Sequence, residues 1–459
     1  MSHAPSIGVP ELAGVATYDE AARIGYSVDE NVRRLLRYQW TERQLMQGLI
    51  AHLPATPEWE VKGGLALVQW HCAEHVESLR QRIAEMRHPL PELDRAPDTA
   101  LHQVLEEALR AEGTIELLTG CYDVILRALL EAYRTHLAAT NPLGDHPTRR
   151  IIQIALVDHA ANIRWAEQAL AGLVGSAAGA LARAGAWRGH VGRYLAAAGG
   201  IAGDQPEPNE PLPDPRANGP FRPSMEPARD RRFGGLYQFD FPPHVIYNDP
   251  KVPADERNLA LLCKRALEMD VPEMMASVMV ERADQPWEFH RDYSRQLWDE
   301  MRHAMMGTVA LEARGVDWTR IPLNVGFSLR LNLYATPLER QILLFAIEQS
   351  LMPAETGKRF EYETAVAAGE ALSEHFHDYD WADEVLHAQI GRRLLKREGI
   401  TGQEAIDRAA AVQDKTWEAL QPHRSEPERD WWNDFVQRVL GKPSALAPED
   451  RAELKIIAE

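Results

Sequence analysis

Apolar residues recur at three- and four-residue intervals along most of the chain, and strand-like alternation is scarce. This spacing predicts helices over about 27–50, 58–88, 98–139 and 147–172. Ser27 and Glu30 open the first with a capping-box pattern, and "TNPLGDHP" breaks the chain before the last. The small-residue run "GSAAGALARAGAWRGHVGRYLAAAGG" predicts a fifth helix. Periodicity then fails over 203–250, which holds 11 of the 30 prolines and so reads as an extended linker, mostly without regular structure. Its aromatic end, "LYQFDFPPHVIY", is expected to dock on a domain.

Helical spacing returns from 253. It predicts one helix over about 253–283 and a second from Pro286. A third follows "ATPLER", where Thr336, Pro337 and Glu339 fit N-cap, N1 and N3. A fourth lies beyond a break near Gly369 and stops with Gly399 as its C-cap. The last sixty residues predict two more amphipathic helices on the outside. The expected fold class is all-α: four-helix units at 1–202 and 251–400, a Pro-rich linker at 203–250 and a C-terminal helical extension at 401–459.

Charge and composition narrow the functions. A net charge of -18 argues against nucleic acid or an anionic membrane as partner, since both need a basic face. Nothing approaches the roughly eighteen apolar residues of a membrane span, and the N-terminus lacks a basic n-region and an apolar h-region, so a cytoplasmic location is expected. Cys72, Cys121 and Cys263 are far apart with no CxxC; buried thiols are expected rather than disulfides or a cysteine-ligated zinc site.

The chemistry-bearing pattern lies in the second half. "QLWDEMRHAMMG" places Glu300 and His303 three residues apart, hence on one helical face, and "WADEVLHAQIGRRLL" repeats Glu-x-x-His with Glu384 and His387. The first pair falls in the second helix of the unit and the other in the fourth. Metal-binding bundles use Glu-x-x-His from two helices and one Glu from each of the others. A carboxylate can bridge two metals while the imidazole completes one coordination shell.

Two lone carboxylates remain to be found. The first helix carries Leu259, Leu262, Ala266, Met269, Glu273, Ala276 and Val280 at heptad spacing, which puts Glu273 in an apolar stripe where an uncompensated charge is costly. Glu268 competes, but Lys264 and Arg265 one turn earlier predict a wet face. In the third helix Glu348 and Glu355 share a face two turns apart, and periodicity leaves both open. Glu348 lies in the more apolar "LLFAIEQSLM" and is preferred.

Residues 253–399 resemble the ferritin-like di-iron carboxylate superfamily through this six-residue pattern. Carried onto this sequence, the resemblance implies Glu273 and Glu348 as lone carboxylates and Glu300/His303 and Glu384/His387 as paired motifs. Together they would hold two Fe ions, with Mn or mixed Fe/Mn as variants. It implies activation of dioxygen or oxidation of Fe(II), and admits a reductase partner and a homodimer.

The first half repeats the plan incompletely. Glu42 falls on the seam Leu35, Tyr38, Leu45 and Leu49, and Glu74 follows in the next helix. The i+3 position after Glu74 is Glu77, and after Asp158 it is Ala161, so the histidine pairs fail. A degenerate repeat kept for packing is expected, with an unusual site near His71, His75 and His159 as the alternative.

The function expected is a non-haem di-iron oxidoreductase that uses dioxygen to hydroxylate, N-oxygenate or desaturate a small organic substrate. Ferroxidase or iron-handling work is the second class, and a non-catalytic scaffold the third. The extra unit, linker and extension favour the enzyme, because a storage cage needs only a compact subunit. Trp298, Met301, Met305 and Met306 read as core packing before a substrate cavity, and Tyr293 and Tyr379 as ordinary phenols before radical sites.

Overall fold

The computed structural model describes residues 8–87, 89–176, 179–206, 211–234, 243–322, 325–423 and 431–446, and every regular element among the described residues is a helix. The chain divides into two compact units, residues 1–49 with 67–222 and residues 50–66 with 223–459.

The first unit is built on most of α1 (Val28–His52) and α2 (Trp59–Met86), whose residues 50–52 and 59–66 belong to the second unit, with α3 (Arg127–Ala139) and α4 (His146–Ser176). Their apolar stripes, among them Leu35, Leu45, Cys72, Val76, Leu129 and Ile152, are buried. Each fully buried Leu contributes about 1.5–3 kcal/mol. The helix expected over 98–139 is interrupted: Thr99–Ala108 ends before Gly113, whose φ of +80° is a left-handed conformation that favours glycine. The chain resumes as helix at Thr114 and passes through π-helical turns at Thr119–Leu126 before α3. The small-residue run forms Ala180–Ala197 as expected.

The second unit contains α5 (Ala254–Leu267), α6 (Asp270–Glu281), α7 (Trp287–Glu312), α8 (Pro337–Ser350), α9 (Lys358–Ala368), α10 (Ala371–Arg397), α11 (Gly402–Leu420) and α12 (Trp431–Leu440). Helix α5 packs on α7 and α9, α7 on α10, and α8 on α10 and α11. The single helix expected over 253–283 is two, broken at 268–269. Pro272 is the cause: it has no N–H for the carbonyl of Glu268, and its ring clashes there, so a continuous helix is disfavoured. In the first turn of α6 the missing donor costs nothing. The third expected helix likewise stops at Ser350, and α9 begins after the Pro353 segment. Thr336 and Glu339 do form a reciprocal capping box.

Helices α5 and α7 approach backbone to backbone at Gly307, where a Cβ would overlap the Ala266 nitrogen. Helix α12 docks on α5 through the buried Glu256, whose Oε1 accepts from Trp432 Nε1 at 2.9 Å and Ser444 Oγ at 2.6 Å. The described linker is irregular but anchored, with Arg232 donating to Glu60 and the Ala228 N–H donating to the Pro54 carbonyl. Of its aromatic end, 236–242 lie outside the described residues; Pro243–Asn248 forms a short helix packed on α5, with Ile246 and Tyr247 buried. No described helix is long and apolar enough to cross a membrane, and all three cysteines are buried free thiols.

Candidate metal centre

Helix α7 presents Glu300 and His303, α10 presents Glu384 and His387, and all four side chains are buried facing one another. His387 Nδ1 lies 3.1 Å from Glu300 Oε1 and 3.3 Å from Glu384 Oε2. His303 Nδ1 lies 3.6 Å from Glu300 Oε2 and 3.9 Å from Glu384 Oε1. Each glutamate therefore faces both imidazoles, the disposition that bridging carboxylates need.

The outer nitrogens are held by aspartates. His387 Nε2 meets Asp299 Oδ2 at 3.4 Å, and His303 Nε2 meets Asp383 Oδ2 at 3.2 Å. Both aspartates immediately precede the motif glutamates, and each serves the histidine of the opposite helix. A carboxylate behind a ligating imidazole fixes its tautomer and orientation. Arg302 donates to both aspartates and ties the two supports together.

Glu348 joins this group from α8. Ligand atoms of Glu300, Glu348, Glu384 and His387 lie within 4.8 Å of one another. Glu355, the alternative, is exposed in the segment between α8 and α9. Glu273 is not brought to the cluster. Its carboxylate accepts from Lys62 Nζ at 2.6 Å, Arg229 Nη2 at 3.1 Å and Ser328 Oγ at 3.2 Å, all in the second unit. The expectation for Glu273 is corrected on this point: the break before Pro272 resets the helical phase, and two cations compensate the buried charge. Glu268, set aside in the sequence because of its basic neighbours, sits at that break and groups with His303 and Asp380 within 4.8 Å. Arg265 does stand beside it, donating to Glu268 at 2.6 Å and to Asp380 at 2.6 Å.

So many acids in one interior require compensation. Burial and Glu384 push Glu300 up, but the His303 and His387 imidazoles beside it outweigh them and hold it at about 2. Burial and the charges of Glu384 and Glu300 push Glu348 well above the usual carboxylate range. At Glu384 burial is outweighed by Lys358, whose Nζ lies 2.6 Å from Oε1, and the carboxyl stays well below that range. His303 is lifted to about 10 against burial by Asp380, Asp383 and Glu300. Protons and the Lys358 ammonium thus neutralise a nest that divalent cations would otherwise neutralise, and metal binding there must release protons.

Two buried ligand atoms remain unsatisfied. His303 Nδ1 faces Asp380 Oδ1 at 3.3 Å without making a hydrogen bond, and Glu348 Oε2 has no partner. Carboxylates and imidazoles fit Fe or Mn once their protons are released. Asp299, Asp383, Asp380 and Lys358 were not anticipated from the sequence, which named Glu268 only as the competitor of Glu273. A signal existed for the first two: "DEMRHAMMG" (299–307) and "DEVLHAQIG" (383–391) share D-E-x-x-H-A-x-x-G. In the first unit Glu74 is exposed, whereas Glu42 is fully buried between His75 and His159.

Compared with known proteins, the chain matches no family model, no curated protein and no solved structure.

Proposed function

We propose that the second unit is a ferritin-like di-metal carboxylate bundle and that the chain is an oxidoreductase using dioxygen to oxidise a small organic substrate. The observation that carries this reading is the crossed support of two D-E-x-x-H motifs, each aspartate gripping the other helix's imidazole. Glu300, Glu384, His303, His387, Glu348 and Glu268 would hold two Fe (or Mn) ions, which would supply Lewis acidity and redox capacity for dioxygen. The chain does the rest. Asp299 and Asp383 keep the histidine Nε2 protons outward so that Nδ1 points in, burial excludes bulk water, and Arg302 holds both aspartates in place.

The test begins with metal content. The full chain loaded anaerobically with Fe(II) is expected to hold two irons, and Glu300→Ala with Glu384→Ala to hold neither in this unit. On oxygenation it should consume dioxygen in proportion to an organic substrate that is hydroxylated, N-oxygenated or desaturated. Retention of both metals by the double variant overturns the site. Continued turnover of free Fe(II) into ferric mineral overturns the oxygenase and assigns iron oxidation instead.

A further inference from the structure

We propose that the first unit holds a separate mononuclear metal site, formed by Glu42, His75 and His159 and taking one divalent first-row transition cation. The three side chains come from α1, α2 and α4, and their candidate ligand atoms lie within 4.8 Å of one another. Glu42 and His159 are fully buried and His75 is 4% exposed. The site is independent of the reading given to the second unit.

Each imidazole turns one nitrogen to the carboxylate and has its other nitrogen held. His159 Nε2 lies 2.7 Å from Glu42 Oε1, with Nδ1 3.4 Å from the Asn162 side-chain nitrogen, a donor. His75 Nδ1 lies 3.2 Å from the same oxygen, with Nε2 3.1 Å from Asp158 Oδ2. His75 has the two-tier pattern of a ligating histidine, one nitrogen inward and the other held by a carboxylate; at His159 the Asn162 amide would have to turn its oxygen to Nδ1 for Nε2 to take a metal. Two imidazoles and one carboxylate form the set that binds divalent transition metals while leaving positions open.

A plain buried ion pair accounts for less of this arrangement. Glu42 Oε1 takes both histidines and the Tyr133 hydroxyl, which donates at 2.9 Å, while Oε2 is buried with no nitrogen or oxygen donor. The Cys72 thiol is the group Glu42 leaves beside it, lifted well above its usual range by burial and by that carboxylate. A salt bridge selected for stability would spread its strong donors over both oxygens, because a buried carboxylate oxygen left with at most a weak thiol donor is poorly compensated. A cation between the three groups would use it.

The probe is Co(II), added to the full chain carrying Glu300→Ala, Glu384→Ala and His303→Ala, which breaks the Glu300–Glu384 nest and the Glu268–His303–Asp380 group of the second unit. One Co(II) per chain should bind, and X-ray absorption at the cobalt edge should show two imidazole ligands. Adding Glu42→Gln, which keeps the size and most hydrogen bonds, or His159→Gln should weaken binding by about 100-fold or more. Absence of stoichiometric Co(II) binding overturns the site. So does a cobalt spectrum with fewer than two imidazoles, a measurement that needs no further variant and holds even where a glutamine variant fails to fold.

Discussion

The Asp299 carboxylate lies 3.4 Å from Nε2 of His387 on another helix, while its sequence neighbour Glu300 reaches Nδ1 of the same ring at 3.1 Å. Asp383 and Glu384 hold His303 in the mirrored way, at 3.2 and 3.9 Å. Two consecutive acids thus clamp an imidazole from both sides, one as orienting support and one as candidate co-ligand. Asp299→Asn and Asp383→Asn should each lower metal affinity about 10–100-fold while leaving the helical circular-dichroism spectrum unchanged. Competition with a calibrated chelator measures this, and unaltered affinity in both variants would remove the aspartates from the site.

Glu273 predicts the opposite pairing of effects. Glu273→Ala leaves Lys62 and Arg229 buried without their shared anion, and should cost about 3–5 kcal/mol of stability. Metal content should stay at the wild-type value. Loss of metal with unchanged urea denaturation would reinstate Glu273 as a ligand.

Glu348 and Glu355 separate as cleanly. Glu348→Ala removes a buried carboxylate that accepts from Gln296 Nε2 at 3.0 Å and faces the cluster, so it should weaken metal binding and oxygen consumption. Glu355→Ala changes an exposed residue and should stay within about 0.5 kcal/mol and wild-type activity. The reverse ranking in parallel titrations would mean that α8 faces the metals differently.

His136 makes the first unit sensitive to acid. It is fully buried with neither ring nitrogen hydrogen-bonded, and burial pushes it down to about 4 from an ordinary value of 6.5. Between those values the unfolded chain takes up a proton that the folded chain refuses. Stability is therefore complete above pH 6.5 and is lost as pH falls toward 4, by on the order of 3 kcal/mol. His136→Phe should flatten that part of the pH–stability curve, read from urea midpoints at pH 7.5 and 5; an equally steep loss in the variant would assign it to other groups.

The Glu-x-x-His pairs were legible because the i, i+3 spacing itself fixes a shared face. What failed was counting through a break. The heptad register that pointed to Glu273 ran across Pro272, and the chain resumes there in another phase. The same error kept α8 and α9 as one helix, hiding Lys358. Asp299 and Asp383 lie outside the i, i+3 spacing, because they act across to the other helix. In the first half the i, i+3 spacing offers no histidine after Glu74 or Asp158, and it leaves His75 and His159, each directly following an acid, as an alternative without a partner on a shared face. Only convergence of three helices on Glu42 relates them.

The assignment of Ile50–Ala66 to the second unit has a consequence for how the chain is made. Lys62 is fully buried against Glu273, 211 residues further on. At roughly 5–20 residues per second on the ribosome, Lys62 emerges about 10–40 s before its partner exists. The second unit cannot close in the order of synthesis, and this early segment must wait in water for the late one. A gene fragment beginning at the linker would supply Arg229 and Glu273 without Lys62, and so would express an incomplete unit.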